Sequence, residues 1–337
     1  MVNTILVKLT NACNMSCIMC GQNIRKERAK YEYVKLENLI KFLPNDMEKM
    51  NLCLWGGEPL LYPDIEKLLD LLANMKGCKG IITNGYYLDK YIDKIIDARL
   101  TYLTISIDGK ENTHNNIRNV KDAYIKAISN IKKIVEEKKV RKINVDELCI
   151  NINFTILNEN INEMYDVARV AKDIGCKSIT YNFPIMVDKV DCIKFSKLWK
   201  QKHKSEFKSW SGYYNDNLNI DCRQLETEIQ KIKNIDDENF NVFWSANNMS
   251  LKKEALYNYF NNIITIPDKK ICNISQNIVV INSNEDLLLC PDFTETVVGN
   301  IRDMNFEEFL VKKEKNRLIN ELEGRMPICA RCCHRIW

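Results

Sequence analysis

The sequence predicts an α/β protein: a partial (β/α)6 barrel of TIM type, followed by a helical insertion and a small, cysteine-rich C-terminal α+β region. Three observations predict it. Short β-branched or apolar runs alternate with amphipathic stretches from residue 4 to about 185, the alternation repeats six times, and polar or glycine-rich loops follow the first four strands on one rim. Six units make an open or partial barrel rather than the closed eightfold one, and barrel sites lie at the C-terminal ends of strands.

The strands are expected at 4–10, 51–55, 79–83, 101–107, 147–157 and 177–183, and the helices near 33–43, 62–76, 87–98, 122–139 and 161–174. In the second helix Ile65, Leu68, Leu69, Leu72 and Met75 recur at helical spacing and share a face. These units make a first domain, 1–185. From 186 to 270 the alternation fails and charge and aromatics accumulate, among them Phe195, Trp199, Phe207, Trp210, Tyr213, Tyr214, Phe243, Trp244 and Tyr257. That stretch reads as a helical connector with an aromatic core of its own, or as a cover over the barrel mouth. In the last region, 271–337, the runs 277–281 and 286–289 flank Asn282-Ser283-Asn284-Glu285 as a β-hairpin, and a helix is expected near 305–321.

Composition narrows the function. With 28% charged and 45% apolar residues and a formal charge of +4, the chain is an ordinary soluble one, and no basic excess calls for nucleic acid. No apolar run is long enough for a membrane span, and the first residues lack a signal-peptide pattern, so a cytoplasmic protein is expected. Fourteen cysteines in such a chain argue for metal or cluster ligation rather than disulfides.

The first strand runs into Cys13-x3-Cys17-x2-Cys20. Chance would place such a triplet in roughly 2% of shuffled chains, and three buried cysteines of no chemical role are the plain alternative, so its neighbours decide. Three thiolates on one tight loop can hold three irons of a cubane cluster and leave the fourth open to a small molecule. The second strand runs into Trp55-Gly56-Gly57-Glu58-Pro59, the third into Thr83-Asn84-Gly85 and the fourth into Ser106-Ile107-Asp108-Gly109. The paired glycines permit close backbone approach, and Glu58 can accept hydrogen bonds from an ammonium group.

In their order and strand-end placement these motifs resemble the radical S-adenosylmethionine (SAM) superfamily over roughly residues 4 to 185. The resemblance implies a [4Fe–4S] cluster on Cys13, Cys17 and Cys20 and SAM chelated to its open iron. It further implies a SAM site drawn from Gly56, Gly57, Glu58, Asn84, Ser106, Asp108 and Arg118. The Gly56–Glu58 segment would meet the amino group, Ser106 and Asp108 the ribose, and Arg118, which follows His114, the carboxylate, for which a guanidinium fork is well shaped. Asn153, Thr155 and Tyr181 on later strands are weaker candidates. No catalytic base is identifiable.

In the tail, Cys272-x17-Cys290 and Cys329-x2-Cys332 form a tetrathiolate set suited to zinc or an iron–sulfur cluster. The set resembles the twitch domain, the short form of the SPASM domain, which implies an auxiliary [4Fe–4S] cluster. Two departures stand out. Glu285 occupies a position five residues before Cys290 that is often Gly in the family, and no C-x2-C-x5-C follows Cys290 as a full SPASM domain would require, while Cys333 and His334 add candidate ligands. Cys53, Cys78, Cys149, Cys176, Cys192 and Cys222 lack ligand spacing and read as structural thiols.

The expected activity is therefore SAM cleavage to a 5′-deoxyadenosyl radical that abstracts a hydrogen atom, oxidising or rearranging a substrate. A small metabolite such as a sugar or cyclitol is expected, because the first strand starts by residue 4 and leaves no N-terminal peptide-recognition domain. Maturation of a ribosomally made peptide is the alternative, and a non-catalytic iron–sulfur or zinc protein a lesser one. A flavodoxin- or ferredoxin-like reductant is the expected partner.

Overall fold

Each of the six apolar runs forms a strand: β1 (Thr4–Lys8), β2 (Asn51–Trp55), β3 (Cys78–Thr83), β4 (Tyr102–Ser106), β5 (Cys149–Thr155) and β6 (Ser178–Asn182). This computed structural model describes residues 2–144, 146–185, 187–214, 220–245, 250–261, 271–314, 326, 329, 331–332 and 335–336. Neighbouring strands from β1 to β6 pair in parallel. Parallel pairing needs a crossover after each strand. Helices α1 (Gly21–Ile24), α2 (Leu36–Phe42), α3 (Ile65–Asn74), α4 (Ile92–Asp97), α5 (Glu111–Arg118), α6 (Ala123–Val140) and α7 (Met164–Asp173) lie in those connections. Leu68, Leu69 and Leu72 of α3 and Ala127, Ile131 and Ile134 of α6 are buried with Leu52, Leu54, Ile81, Leu103 and Ile105 of the strands in one core.

The sheet extends beyond the six units at both edges. The stretch after β6 is mainly helical, with α8 (Lys189–His203), α9 (Cys222–Ile232) and α10 (Lys253–Phe260), but it also supplies β7 (Asn241–Trp244), parallel to β6. Four residues following a charged segment are too short for a period to register. The C-terminal region supplies β8 (Ile271–Cys272), α11 (Asn273–Asn277), β9 (Ile278–Ile281), β10 (Asp286–Leu288), β11 (Val297–Asn300), α12 (Phe306–Glu314) and β12 (Arg335–Ile336). The expected hairpin is β9–β10, and β9 pairs in parallel with β1. The full order is β11-β10-β9-β1-β2-β3-β4-β5-β6-β7, an open α/β sheet consistent with a partial TIM-type barrel. Among the described residues no helix is long and apolar enough to cross a membrane.

Glu285, in the hairpin turn, holds φ 72°, the left-handed conformation that glycine adopts freely. The side chain explains why a larger residue stands there. Its Oε1 accepts from Lys35 N at 2.9 Å and Asn38 Nδ2 at 2.8 Å, capping the start of α2, and its Oε2 pairs with Arg302 Nε at 3.3 Å. The buried carboxylate thus ties the C-terminal hairpin to the first domain. Glu285→Ala keeps the strain and loses the bonds, so a stability loss of about 2 kcal/mol is expected in urea unfolding, whereas Glu285→Gly also releases strain and should lose about 1 kcal/mol less. Equal losses would show that the turn stores no strain.

Candidate functional site

The chain leaves β1 in a direction set by two polar side chains. Thr10 Oγ1 donates to Glu32 O and accepts from Ala12 N, while Asn11 donates from Nδ2 to Lys30 O at 2.6 Å and accepts at Oδ1 from Glu32 N at 2.9 Å. The loop that follows is closed by Cys20 N donating to Cys17 O, and it is pinned to α5 by Ile18 N donating to Ile117 O. Met15 and Cys17 are buried against Ala123. Cys13, Cys17 and Cys20 thereby line one cavity of about 170 Å³ at the C-terminal ends of the first four strands, together with Gly56, Gly57, Asn84, Ser106 and Arg118. Glu58 and Asp108 lie beneath it.

The glycine pair approaches the cysteine segment itself. Gly57 N donates to Thr10 O at 2.8 Å and Glu58 N to Ala12 O at 2.7 Å. A Cβ on Gly57 would sit 2.1 Å from Ala12 O, and one on Gly56, at φ +143°, 2.5 Å from Thr10 O. Glu58 is fully buried, with Oε1 accepting from Thr83 Oγ1 at 2.6 Å and Leu60 N at 3.1 Å, and Oε2 from Asn84 N at 2.8 Å. Burial pushes its carboxyl pKa up, against these bonds. Both oxygens are engaged inside the protein, so Glu58 fastens the loops after β2 and β3 and acts on a ligand through them. Gln22, which the sequence reading passed over, donates from Nε2 to Gly56 O at 3.3 Å.

Ser106 and Asp108 part company. β4 ends at Ser106 and the chain turns at Gly109, φ +149°, so strand alternation does not extend to Asp108. Ser106 lines the cavity, whereas Asp108, with no exposed surface, accepts at Oδ1 from Thr155 N at 2.8 Å and pairs through Oδ2 with Arg118 Nη2. Its backbone N donates to His114 Nδ1 at 3.0 Å. Burial raises the Asp108 pKa against the pull of Arg118. Burial works against the Arg118 charge, but Asp108 and then Cys17 hold its pKa above the usual value. Burial and Arg118 drive His114 well below its ordinary range, so it is neutral and free to accept at Nδ1. Tyr181 belongs to the core, its hydroxyl donating to Met164 O at 2.7 Å and its ring stacked on Trp244.

Each thiol of the loop faces one nitrogen donor from a different segment. Asn84 Nδ2 lies 3.9 Å from Cys13 Sγ, Arg118 Nη1 3.7 Å from Cys17 Sγ and Arg28 Nη2 3.8 Å from Cys20 Sγ. Burial pushes the Cys13 thiol up to about 11 and raises Cys17, so metal binding here would release protons. The residues fit a thiolate-bound cluster. Trp55 Nε1, Arg28 Nε and Arg118 Nε, all on cavity-lining residues, are buried without a hydrogen-bond partner among the described residues, a donor excess that suits an anionic occupant. Among the described residues no three Cys, His, Asp or Glu side chains converge on a single ion. A cubane instead takes one thiolate per iron.

The second thiol group gathers near the hairpin. Cys290 is buried, with Sγ 3.9 Å from Asp292 Oδ2, and its pKa stands well above the usual value through burial first, then Asp292, with Cys332 and Cys329 close enough to add to the rise. Cys272 pairs across β8–β12 with Arg335, three positions after Cys332. Cys333 and His334 lie outside the described residues.

Two outcomes are expected from this geometry. Gly57→Ala must push Ala12 O away, and should lower stability by about 2 kcal/mol and cut the iron bound on anaerobic reconstitution; full iron loading would show that the close approach is dispensable. For His114 the unfolded chain takes up a proton below about pH 6.5 that the folded chain refuses. Stability should therefore be complete above that pH and fall by up to about 1.4 kcal/mol per unit below it. Asn at position 114 can accept without titrating, so His114→Asn should flatten this part of the stability–pH curve.

Comparison with known proteins agrees with this geometry. A family model described as the radical SAM superfamily matches residues 7–171. A probable GTP 3′,8-cyclase of Methanococcus aeolicus is 24% identical over 52% of the chain and 57% of its own length. The chain spans 57%, 35% and 27% of the first three relatives it matches. Among solved structures, Streptococcus suis SuiB bound to its precursor peptide SuiA shares 14% identity at a TM-score of 0.63, covering 98% of this chain and 70% of SuiB. The native anSMEcpe with bound AdoMet and Cp18Cys peptide shares 15% identity at 0.58, covering 99% and 89%. By that match residues 7–171 form a domain of the radical SAM superfamily, whose enzymes use a [4Fe–4S] cluster and S-adenosylmethionine.

Proposed function

We propose that this radical SAM enzyme takes a hydrogen atom from its substrate and carries out an oxidation, using an auxiliary [4Fe–4S] cluster held by Cys272, Cys290, Cys329 and Cys332. Bound at the first site, a reduced cluster would supply the one electron needed for reductive cleavage of SAM. Cys13, Cys17 and Cys20 would hold that cluster, with Asn84, Arg118 and Arg28 donating to their sulfurs. The Gly56–Gly57 backbone and Ser106 lie on the SAM side of the cavity. Glu58 and the Asp108–Arg118 pair keep these loops in place, and Met15 and Met19 restrict water. A flavodoxin- or ferredoxin-like protein is the proposed electron source.

The observation that carries the auxiliary cluster is the grouping of Cys290, Cys329 and Cys332, with the strand of Cys272 paired to the segment just after Cys332. Residues 292–295, beside Cys290, also hold the short helix Ser209–Tyr213, which contacts the segment just after the first cysteine loop through Arg25. That arrangement supports a second cluster within reach of the substrate, able to accept an electron while a base takes a proton.

For the substrate, the likeness to two proteins solved with peptides runs over almost the whole chain, C-terminal region included. It favours a peptide substrate over the small metabolite expected from the sequence. The GTP 3′,8-cyclase relatives match about half the chain or less, and keep a small molecule as the second reading.

Reconstituted protein should hold about eight irons per chain and form 5′-deoxyadenosine under reduction. Cys290→Ala with Cys332→Ala should retain about four irons and still cleave SAM, whereas Cys17→Ala should abolish cleavage. About four irons in the unaltered chain would remove the auxiliary cluster. Deuterated cell extract, separated into peptide and metabolite fractions, tests the substrate: deuterium should enter 5′-deoxyadenosine with the peptide fraction, and transfer from the metabolite fraction alone would reverse the assignment.

A further inference from the structure

The two arginines at the cysteine loop differ in charge environment. Arg118 donates to Cys17 Sγ but is paired with the fully buried Asp108 carboxylate, so together they add no net charge. Arg28 donates from Nη2 to Cys20 Sγ at 3.8 Å and from Nη1 to Met15 O. Among the described residues no carboxylate pairs with it, and its Nε is buried without a partner. It is therefore an uncompensated cation in the cavity wall.

Its placement is built into the fold. Arg28 sits in the short 3-10 turn Glu27–Ala29, which begins after Lys26 in the left-handed conformation, φ 55°. The segment that follows is stitched to the cysteine loop by the Asn11 bonds to Lys30 and Glu32 and by a bridge between Thr10 and Tyr33. The residues that aim the first thiol thus also bring the guanidinium to the third.

A thiolate-bound cluster becomes more negative by one unit when it accepts an electron, and a fixed cation a few ångströms from one of its sulfurs stabilises the reduced form. We propose that Arg28 sets the reduction potential of the cluster held by Cys13, Cys17 and Cys20, raising it into the range of its one-electron donor, while Arg118 positions Cys17. This rests on the assignment of that cluster to those thiols, which iron content and a SAM-dependent change in the reduced spectrum test separately in the unaltered protein.

The experiment is a potentiometric titration of reconstituted protein, followed by electron paramagnetic resonance at the signal that shifts on adding SAM. Arg28→Gln should keep the iron content and move the midpoint to a more negative potential, so that the ratio of reduced to oxidised cluster at the wild-type midpoint falls on the order of tenfold. Arg28→Lys, which keeps the charge, should recover most of that loss. Asp108→Asn, which keeps an acceptor for Thr155 N and leaves Arg118 uncompensated, should move the midpoint the opposite way, and it remains informative if Arg28→Gln fails to load iron. An unchanged midpoint in Arg28→Gln would overturn the proposal, as would Arg28→Lys falling as far as Arg28→Gln. An unchanged midpoint with weakened SAM binding would make Arg28 a SAM ligand instead.

Discussion

The site depends on a two-bond seam between backbones: Gly57 N to Thr10 O and Glu58 N to Ala12 O. It fixes the base of the cysteine loop against the end of β2 at a separation that no side chain at position 57 would allow. One residue later the Glu58 carboxylate takes three donors from the loops after β2 and β3, and Asn84, whose backbone is one of them, reaches back with Nδ2 to Cys13 Sγ and Asn14 Oδ1. A closed circuit results: the loop after β1 rests on that after β2, which grips that after β3, which returns to the first thiol. Such mutual restraint holds reactive groups in place without strain in any one of them.

Charge beneath the cavity follows a different logic. Two carboxylates with almost no exposure, Glu58 and Asp108, sit under the buried thiol of Cys17 and the partly buried thiols of Cys13 and Cys20, an arrangement unfavourable if all were ionised. Arg118 offsets Asp108, hydrogen bonds support Glu58, and burial raises the Cys13 and Cys17 thiols, so that metal binding there would displace protons. Once the thiols are ionised, positive charge near them acquires a function, and Arg28 and Arg118 supply it from two separate segments that follow the cysteine loop.

Much of this was legible in the sequence because period and spacing are local. The six strands and the main helices follow from apolar repeats, and the three cysteines with Gly56, Gly57, Asn84, Ser106 and Arg118 do line one cavity. What was not legible is nonlocal. Asp108 leaves strand alternation because β4 stops at Ser106, and Glu58 turns inward because Thr83 and Asn84, 25 and 26 residues on, offer it donors. Arg28 belongs to no motif, and only the folding of 26–33 back onto Thr10 and Asn11 brings it to Cys20. Glu285 holds a left-handed turn that glycine would adopt freely, and its reason lies 250 residues away at Lys35 N.

The short helix Ser209–Tyr213 joins the two thiol regions, and its contacts show what such a strut requires. On one side Gly212 lies against Gly21, where an added Cβ would be 2.9 Å from Gly21 O, and Arg25 donates to Ser209 O at 3.0 Å. On the other, Tyr213 Oη donates to Asp292 Oδ1 at 2.7 Å, and Glu295 accepts from the backbone nitrogens of Lys208 and Ser209. Gly21 directly follows Cys20, and Asp292 is two residues from Cys290. The contacts on both faces are made by backbone groups and partly buried side chains, and they tie the segment just after Cys20 to the segment just after Cys290. Aromatic contacts add to this link, with Phe207 packed edge-on against Phe293 and the Arg25 guanidinium over the Tyr213 ring.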